Sequence, residues 1–334
     1  EGTADDGITG QDNLTAFTEA AFRPHQALTC TPDLTARILG MDISMPVLLS
    51  PIGYCRLLHH QGDLAVAPAP KDAGIPYIQA TGSGYSLEDV QTVGGKLFFQ
   101  VYNMGGRDAT ERALARAKKL GFDGIFVTVD TPVSGNRECD PKNGMPALMG
   151  KRLLPKLPYV GDILAHPHWL LSFLRDGGVP AMPNVVGADG RPLPAPDVVQ
   201  ALANANICWR DLGWIRKAWD GPIIVKGLMR ADDALRALDE GANGIVVSNH
   251  GGRQLDTVAG TLRVLPGIAE AVKGRMTVFL DGGIRRGQDI VKALCLGADA
   301  VLVGRAYGYG LAAAGEAGVS QALSILRTDM TRTL

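Results

Sequence analysis

Residues 97–130 read LFFQVYNMGGRDATERALARAKKLGFDGIFVTVD. Two unbroken apolar runs, 97–102 and 124–130, flank a stretch, 109–120, whose apolar residues recur at helical spacing, and Gly121 stops that helix. Apolar runs without alternation belong to strands buried on both faces, as in parallel sheets. The segment is therefore one β-α-β unit. Working outward, six further runs of the same kind occur at 47–50, 77–80, 222–226, 244–250, 277–281 and 300–305, with helical stretches at 231–240 and 288–296 stopped by Gly241 and Gly297. Eight such units in series predict an α/β chain folded as a (β/α)8 TIM barrel, one domain spanning 1–334.

The spacing is regular except between Asp130 and Pro222, where Pro141, Pro146, Pro155, Pro158, Pro167, Pro180, Pro183, Pro192, Pro194 and Pro196 cluster. A connection that long is uncommon in a compact domain and is usually a lid, a binding loop or partly disordered. It is assigned to 139–215 as an insertion after the fourth strand. Within it the apolar patch 166–174 is expected to form a short helix packed on the barrel, the alternative being a membrane-touching or partner-binding segment. Pro68 and Pro70 fall where the first barrel helix is expected. Proline inside a helix costs about 3 kcal/mol, so either that helix starts later or the stretch is unusual.

With 33 Lys+Arg against 34 Asp+Glu and no block of like charges, the chain has no electrostatic footprint for nucleic acid. Cys30, Cys55, Cys139, Cys208 and Cys295 are scattered without a Cys-x-x-Cys pair, so neither a disulfide framework nor a zinc site is encoded. They predict reduced thiols in a cytoplasmic protein. No run of about 18 apolar residues occurs, and the opening Glu1-Gly-Thr-Ala-Asp-Asp6 is polar, so neither membrane spanning nor secretion is expected. His59, His60, His166 and His168 lack neighbouring carboxylate or thiol ligands and are expected at the surface, with no metal.

In such barrels the chemistry sits where strands end. The residues there are Gln100 and Tyr102, Thr128 and Asp130, Lys226, Ser248 and His250, Asp281, and Arg305. The loops Asp281-Gly-Gly-Ile-Arg-Arg-Gly287 and Gly304-Arg-Ala306 combine glycine amides with arginine, a composition suited to a phosphate, and Asp281 suits a ribityl or ribose hydroxyl. In Ser248-Asn-His-Gly-Gly-Arg-Gln-Leu-Asp256, two glycines let the backbone turn between His250 and Arg253. Imidazole takes a proton near neutral pH, and guanidinium grips a carboxylate through two parallel hydrogen bonds.

SNHGGRQLD, together with FFQVY, TVDTP, VKG and LDGGIRRG, resembles the FMN-dependent α-hydroxy acid oxidase and dehydrogenase family, which includes glycolate oxidase, lactate and mandelate dehydrogenases and the flavin domain of flavocytochrome b2. The likeness runs from about Phe22 to the C-terminus. It implies FMN across the barrel mouth, with Pro51, Ile52 and Gly53 along the flavin and Gln100, Thr128 and Ser248 bonding the ring. It places Lys226 by the N1/C2 carbonyl edge, where its charge favours the anionic reduced form. Asp281, Gly282, Gly283, Arg285, Gly304 and Arg305 would hold ribityl and phosphate. Arg253 and Arg137 would bind the substrate carboxylate, Tyr102 would bond near the α-oxygen, His250 would act as base and Asp130 would stabilise the imidazolium. The base takes either the α-proton or the hydroxyl proton.

The implied activity is oxidation of a 2-hydroxy acid to the 2-oxo acid, the reduced FMN passing electrons to O2, a quinone or a redox protein. The family also implies a homo-oligomer, by analogy a tetramer. Two departures stand out: Ala80 replaces a small hydroxyl residue, and Gly82 replaces an aromatic one and leaves room beside the substrate; the sequence begins too late to show the family's N-terminal substrate-binding tyrosine. That room, with the segments at 209–214 and 166–169, is similar to the branch that oxidises a peptide precursor of the mycofactocin type. That branch departs from the Arg-Gln of the signature, which this chain keeps at Arg253. A flavin-binding protein without turnover is the remaining alternative.

Overall fold

Parallel pairing of the eight apolar runs closes a barrel. The computed structural model describes all residues except 1, 28, 30, 151, 153, 179–180, 187–190, 194–197, 199–200 and 202–204, so Cys30, Pro180, Pro194 and Pro196 lie outside the described residues. An antiparallel pair, β1 (Ala36–Ile38) and β2 (Met41–Ile43), precedes the barrel strands. These are β3 (Val47–Leu49), β4 (Tyr77–Ala80), β5 (Leu97–Val101), β6 (Gly124–Thr128), β7 (Ile223–Leu228), β8 (Gly244–Val247), β9 (Thr277–Leu280) and β10 (Ala300–Val303). Each pairs with the next in sequence, and β10 returns to β3 with Val301 opposite Val47.

Alternate residues of each strand point inward, and Leu48, Ile78, Phe98, Phe126, Ile224, Val246, Phe279 and Leu302 pack into one buried cluster with Ile38 and Ile43 of the β1–β2 pair. Phe98 meets Phe126 edge-on at 5.5 Å between ring centroids. A Cβ on Gly124 would lie 2.5 Å from the Phe98 ring, which is why a glycine begins β6. The interior is thus solid, and a site can form only at the rim. β4 ends as read from sequence and β7 runs on to Leu228, whereas β3, β5, β6, β8, β9 and β10 stop one to three residues short of the ends read, leaving Tyr102, Asp130, His250, Asp281 and Arg305 just past the ladder. Freed from strand pairing, they can lean over the mouth.

The first barrel helix is split into Gly62–Val66 and Pro68–Ala73. Pro68 opens the second piece, and Pro70 sits in its first turn, where helix N–H groups have no intrahelical acceptor, so neither proline breaks a bond. The insertion carries short helices at Cys139–Lys142, Met145–Met149, Val160–Ala165 and Pro167–Arg175. Its expected end at 215 is corrected: Trp209–Ala218 buries Leu212, Trp214 and Ile215 as part of the barrel wall, so the excursion ends before Trp209. The 166–174 patch does form a helix, but none of its residues is buried. It is pinned by the Trp169 indole, which donates to the Leu57 carbonyl at 3.2 Å, and by His60 and Arg56, which bind Asp176. Among the described residues no helix is long and apolar enough to cross a membrane, and no group of three His, Cys, Asp or Glu could hold a metal.

Candidate active site

Lys226 leaves β7 at an irregularity in its pairing with β8, beside Gly227 at φ 113°. A Cβ at Gly227 would lie 2.6 Å from Cβ and Cγ of Asp130, so glycine here lets the carboxylate from the neighbouring loop come close. The buried Lys226 ammonium donates to Ser248 Oγ and pairs with Asp281 Oδ2, both at 2.9 Å. Burial alone would push its pKa down, but the Asp281 and Asp130 carboxylates outweigh that and hold it above the ordinary lysine range. It is a fixed cation at the cavity floor. Beside it Gln100 Nε2 donates to Thr128 Oγ1 at 2.9 Å.

Beyond β8 the backbone runs left-handed through His250 (φ 57°), Gly251 (67°) and Gly252 (76°). A non-glycine residue there is strained, and such strain collects at functional positions. The turn aims the imidazole at two partners. Nδ1 lies 2.9 Å from Asp130 Oδ1, and Nε2 lies 3.4 Å from the Tyr102 hydroxyl. Burial raises the pKa of Asp130, but the neighbouring His250 and Lys226 outweigh it and bring it below the usual carboxylate range. With Nδ1–H donating to that carboxylate, the lone pair of Nε2 is left toward the cavity and the Tyr102 O–H can donate to it. Burial and the Asp130 charge push the Tyr102 phenol up to about 12.

Arg137 and Arg253 line the same cavity. Arg253 Nη1 donates to the Gly2 carbonyl at 2.7 Å, and Arg137 donates through Nε to the Arg253 carbonyl and through Nη2 to Gln254 Oε1. At the other end stand Gly282, Gly283, Arg285, Gly304 and Arg305, with Arg305 Nη2 donating to the Gly251 carbonyl at 2.7 Å. Asp281 Oδ1 is buried and has no hydrogen-bond partner among the described residues. Helix α1 (Ile8–Glu19) closes this end from outside. The Asn13 and Asn249 amides bond each other twice, at 2.9 and 2.8 Å, and a Cβ on Gly283 would lie 2.2 Å from the Asn13 carbonyl. The glycine at 283 therefore serves the seating of α1 as well as a left-handed φ of 87°.

The structure gathers the residues picked out by sequence around one cavity, including Pro51, Ile52 and Gly53 on one wall. Asp130 stands behind His250 and Ser248 behind Lys226. Sequence reasoning missed Tyr54, Met104, Met182 and Val198, which also line it. Met182 comes from the insertion, and its Sδ and Cε lie 4.0 Å from where a Cβ on Gly82 would stand. The room expected beside Gly82 is thus bounded by a thioether. No periodicity within the insertion marks that residue. The 209–214 segment lies away from the cavity, on the barrel wall, where Arg236 stacks over Trp209 and Arg107 over Trp214.

The family model for FMN-dependent dehydrogenases matches residues 1–334. Pre-mycofactocin synthase of Mycobacterium tuberculosis (strain ATCC 25618 / H37Rv) is 40% identical over 334 residues, covering 98% of this chain and 83% of that protein. L-Lactate dehydrogenase of Pseudomonas entomophila (strain L48) is 41% identical over 303 residues, covering 89% and 78%. The crystal structure of the monotopic membrane protein (S)-mandelate dehydrogenase superposes with a TM-score of 0.92 at 38% identity, covering all of this chain and 88% of that one. A site of this construction in a chain matched from end to end leaves one assignment: the protein belongs to the FMN-dependent α-hydroxy acid oxidase and dehydrogenase family, and FMN is its cofactor.

Proposed function

We propose that the protein oxidises a 2-hydroxy acid with an apolar side chain to the corresponding 2-oxo acid. The observation that carries this reading is that His250, its Nε2 left as an acceptor, shares one cavity with the guanidinium-bearing residues Arg253 and Arg137. A base beside two cations suits a substrate that presents a carboxylate next to the carbon it oxidises. Identity does not choose between substrates, since the pre-mycofactocin synthase and the lactate dehydrogenase are 40% and 41% identical to this chain. The cations do.

The residues present fit FMN. The buried, unpartnered Asp281 Oδ1 offers an acceptor for a ribityl hydroxyl, and Arg285 and Arg305 beyond it offer charge for the phosphate. Gln100, Thr128 and Ser248 would hold the ring end with Lys226, whose charge is fixed. Bound FMN supplies the acceptor for the electron pair that leaves the substrate, and that pair passes on to O2 or another acceptor. Arg253 and Arg137 orient the acid, the Tyr102 hydroxyl bonds near its α-oxygen, and His250 Nε2 takes the proton that the carbinol centre gives up. Asp130 stabilises the imidazolium that results. Among the described residues the remaining walls near Gly82 are apolar, with Met104, Met182 and Val198, so the side chain they accept is apolar.

Anaerobic titration of the holoenzyme with glycolate, lactate and mandelate tests this. Bleaching of the flavin band by at least one acid is expected. A protein that keeps FMN while no acid in the panel reduces it would refute the reading, leaving the peptide-derived substrate or a protein without turnover.

We further propose that the insertion rests on a membrane surface. Leu154, Leu157, Leu164, Leu171 and Leu174 are 60–79% exposed and lie within 21 residues of one another. Co-sedimentation with lipid vesicles is expected for the wild type and lost on replacing Leu171 and Leu174 by serine.

A further inference from the structure

Gln254 follows Arg253 in the signature loop, and its side chain reaches across to the loop that leaves β6. Its Nε2 donates to the Asp130 carbonyl at 3.1 Å and to the Val133 carbonyl at 2.9 Å. Its Oε1 accepts from Arg137 Nη2 at 3.0 Å and from the Gly135 amide at 3.4 Å. A primary amide has two donor hydrogens and two acceptor lone pairs, and all four are used on one segment, 130–137. The residue is 7% exposed, so these bonds are shielded from water. The backbones press together as well. A Cβ on Gly135 would lie 2.1 Å from the Arg253 carbonyl oxygen and 2.9 Å from Gln254 Cα.

We propose that Gln254 is a positioning residue: it bolts the segment bearing Asp130 and Arg137 onto the loop bearing His250 and Arg253, setting the proton-accepting pair and the two carboxylate-binding cations in register. The inference rests on the hydroxy-acid reading of the site. Gln254 touches neither the substrate nor FMN in this account. It acts through Arg137, whose guanidinium it orients, and through the main chain at Asp130, Val133 and Gly135.

No other side chain offers two donor hydrogens and two acceptor lone pairs at this reach. Glutamate would set a carboxylate oxygen against two carbonyls and would draw the Arg137 charge away from the substrate. Lysine and arginine have no acceptor for Arg137. Asparagine is one methylene short. A 1 Å misplacement of such groups is enough to cost catalysis about a hundredfold.

Two measurements on the FMN-loaded protein decide the matter. In Gln254→Leu, amide hydrogen exchange over 131–137 is expected to quicken while the barrel strands keep their protection. Unchanged exchange there overturns the proposal, whatever the substrate. The second is a double-mutant cycle read as the dissociation constant of pyruvate, followed through the flavin spectrum. Gln254→Leu is expected to weaken pyruvate binding about tenfold in the wild-type background and to have little effect when Arg137 is already Met. Gln254→Glu is expected to weaken it at least as much although it keeps the shape of the side chain. Additive losses across the cycle overturn the proposal, because they would make Gln254 a general structural residue. If no hydroxy acid reduces the wild-type flavin, the functional reading falls, while the exchange measurement still decides whether Gln254 holds the segment.

Discussion

Asp130 Oδ1 lies 2.9 Å from His250 Nδ1 although the two residues are 120 apart in sequence and follow strands that are not neighbours. The strand between them, β7, makes the approach possible because Gly227 presents no side chain to Asp130. The pair fixes which imidazole nitrogen faces the cavity and keeps a negative charge where an imidazolium forms.

Replacing either partner should therefore damage proton transfer and spare cofactor binding. His250→Gln and Asp130→Asn are each expected to retain FMN and to slow anaerobic reduction by the best hydroxy acid by roughly 10²–10⁴-fold. Stopped-flow reduction of the flavin checks this. A rate within a factor of two of wild type in His250→Gln would remove that imidazole from the mechanism.

Tyr102 yields a pH prediction with a definite sign. Its phenol titrates at about 12, so it is a neutral O–H donor at every pH where enzymes are ordinarily assayed. An acidic group with a raised pKa is lost as a donor only when the pH climbs to that value. Tyr102→Phe should lower kcat/KM by about tenfold, as for one hydrogen bond to a developing charge, without moving the alkaline limb of the profile. A limb that shifts in the variant would show that the phenol itself titrates in the working range.

The insertion supplies the test of side-chain size. Met182 stands against Gly82, so Met182→Ala should enlarge the apolar end of the cavity and raise the kcat/KM ratio of mandelate over lactate. A change of about tenfold corresponds to one or two methylene groups of fit. The same ratio in Gly82→Ala should fall, because a Cβ there meets the Met182 thioether. Ratios that stay fixed in both variants would locate the substrate side chain elsewhere.

The barrel was legible in the sequence because its strands are buried on both faces, so each appears as a solid apolar run that stops at the rim. Lys226 and Asp281 were legible for the same reason, each being the first polar group after such a run, and His250 closes the short polar stretch Ser248-Asn-His250 that follows its own. What sequence could not convey is contact between loops. The glycine pair at 282–283 was read as a phosphate cradle, and the seating of α1 against Gly283 is a tertiary fact with no local trace. Met182 belongs to a proline-rich stretch without period, where no face can be assigned to any residue. The split first helix was visible only as a conflict between Pro68 and helical spacing, which the break after Val66 resolves.

A buried carboxyl outside the catalytic set makes a further prediction, about stability. Asp63 is fully buried, its Oδ1 accepts the Tyr77 hydroxyl at 2.7 Å, and its Oδ2 has no partner among the described residues. Burial raises its pKa; the hydrogen bonds from Tyr77 and Ser83 only partly oppose that. The folded protein then binds this proton more tightly than the unfolded chain does. Stability from the group is fully present below the ordinary aspartate range and is lost as pH rises through the folded value. Above the ordinary aspartate range the raised pKa is a cost that asparagine does not carry, and asparagine keeps the acceptor for Tyr77. Asp63→Asn should therefore melt higher than wild type at about pH 8, by on the order of 2 °C, with the gap closing as pH falls toward the aspartate range. Calorimetry of the holoenzyme at both ends of that range decides it: a gap that is constant with pH would mean that Asp63 does not ionise differently in the folded and unfolded states.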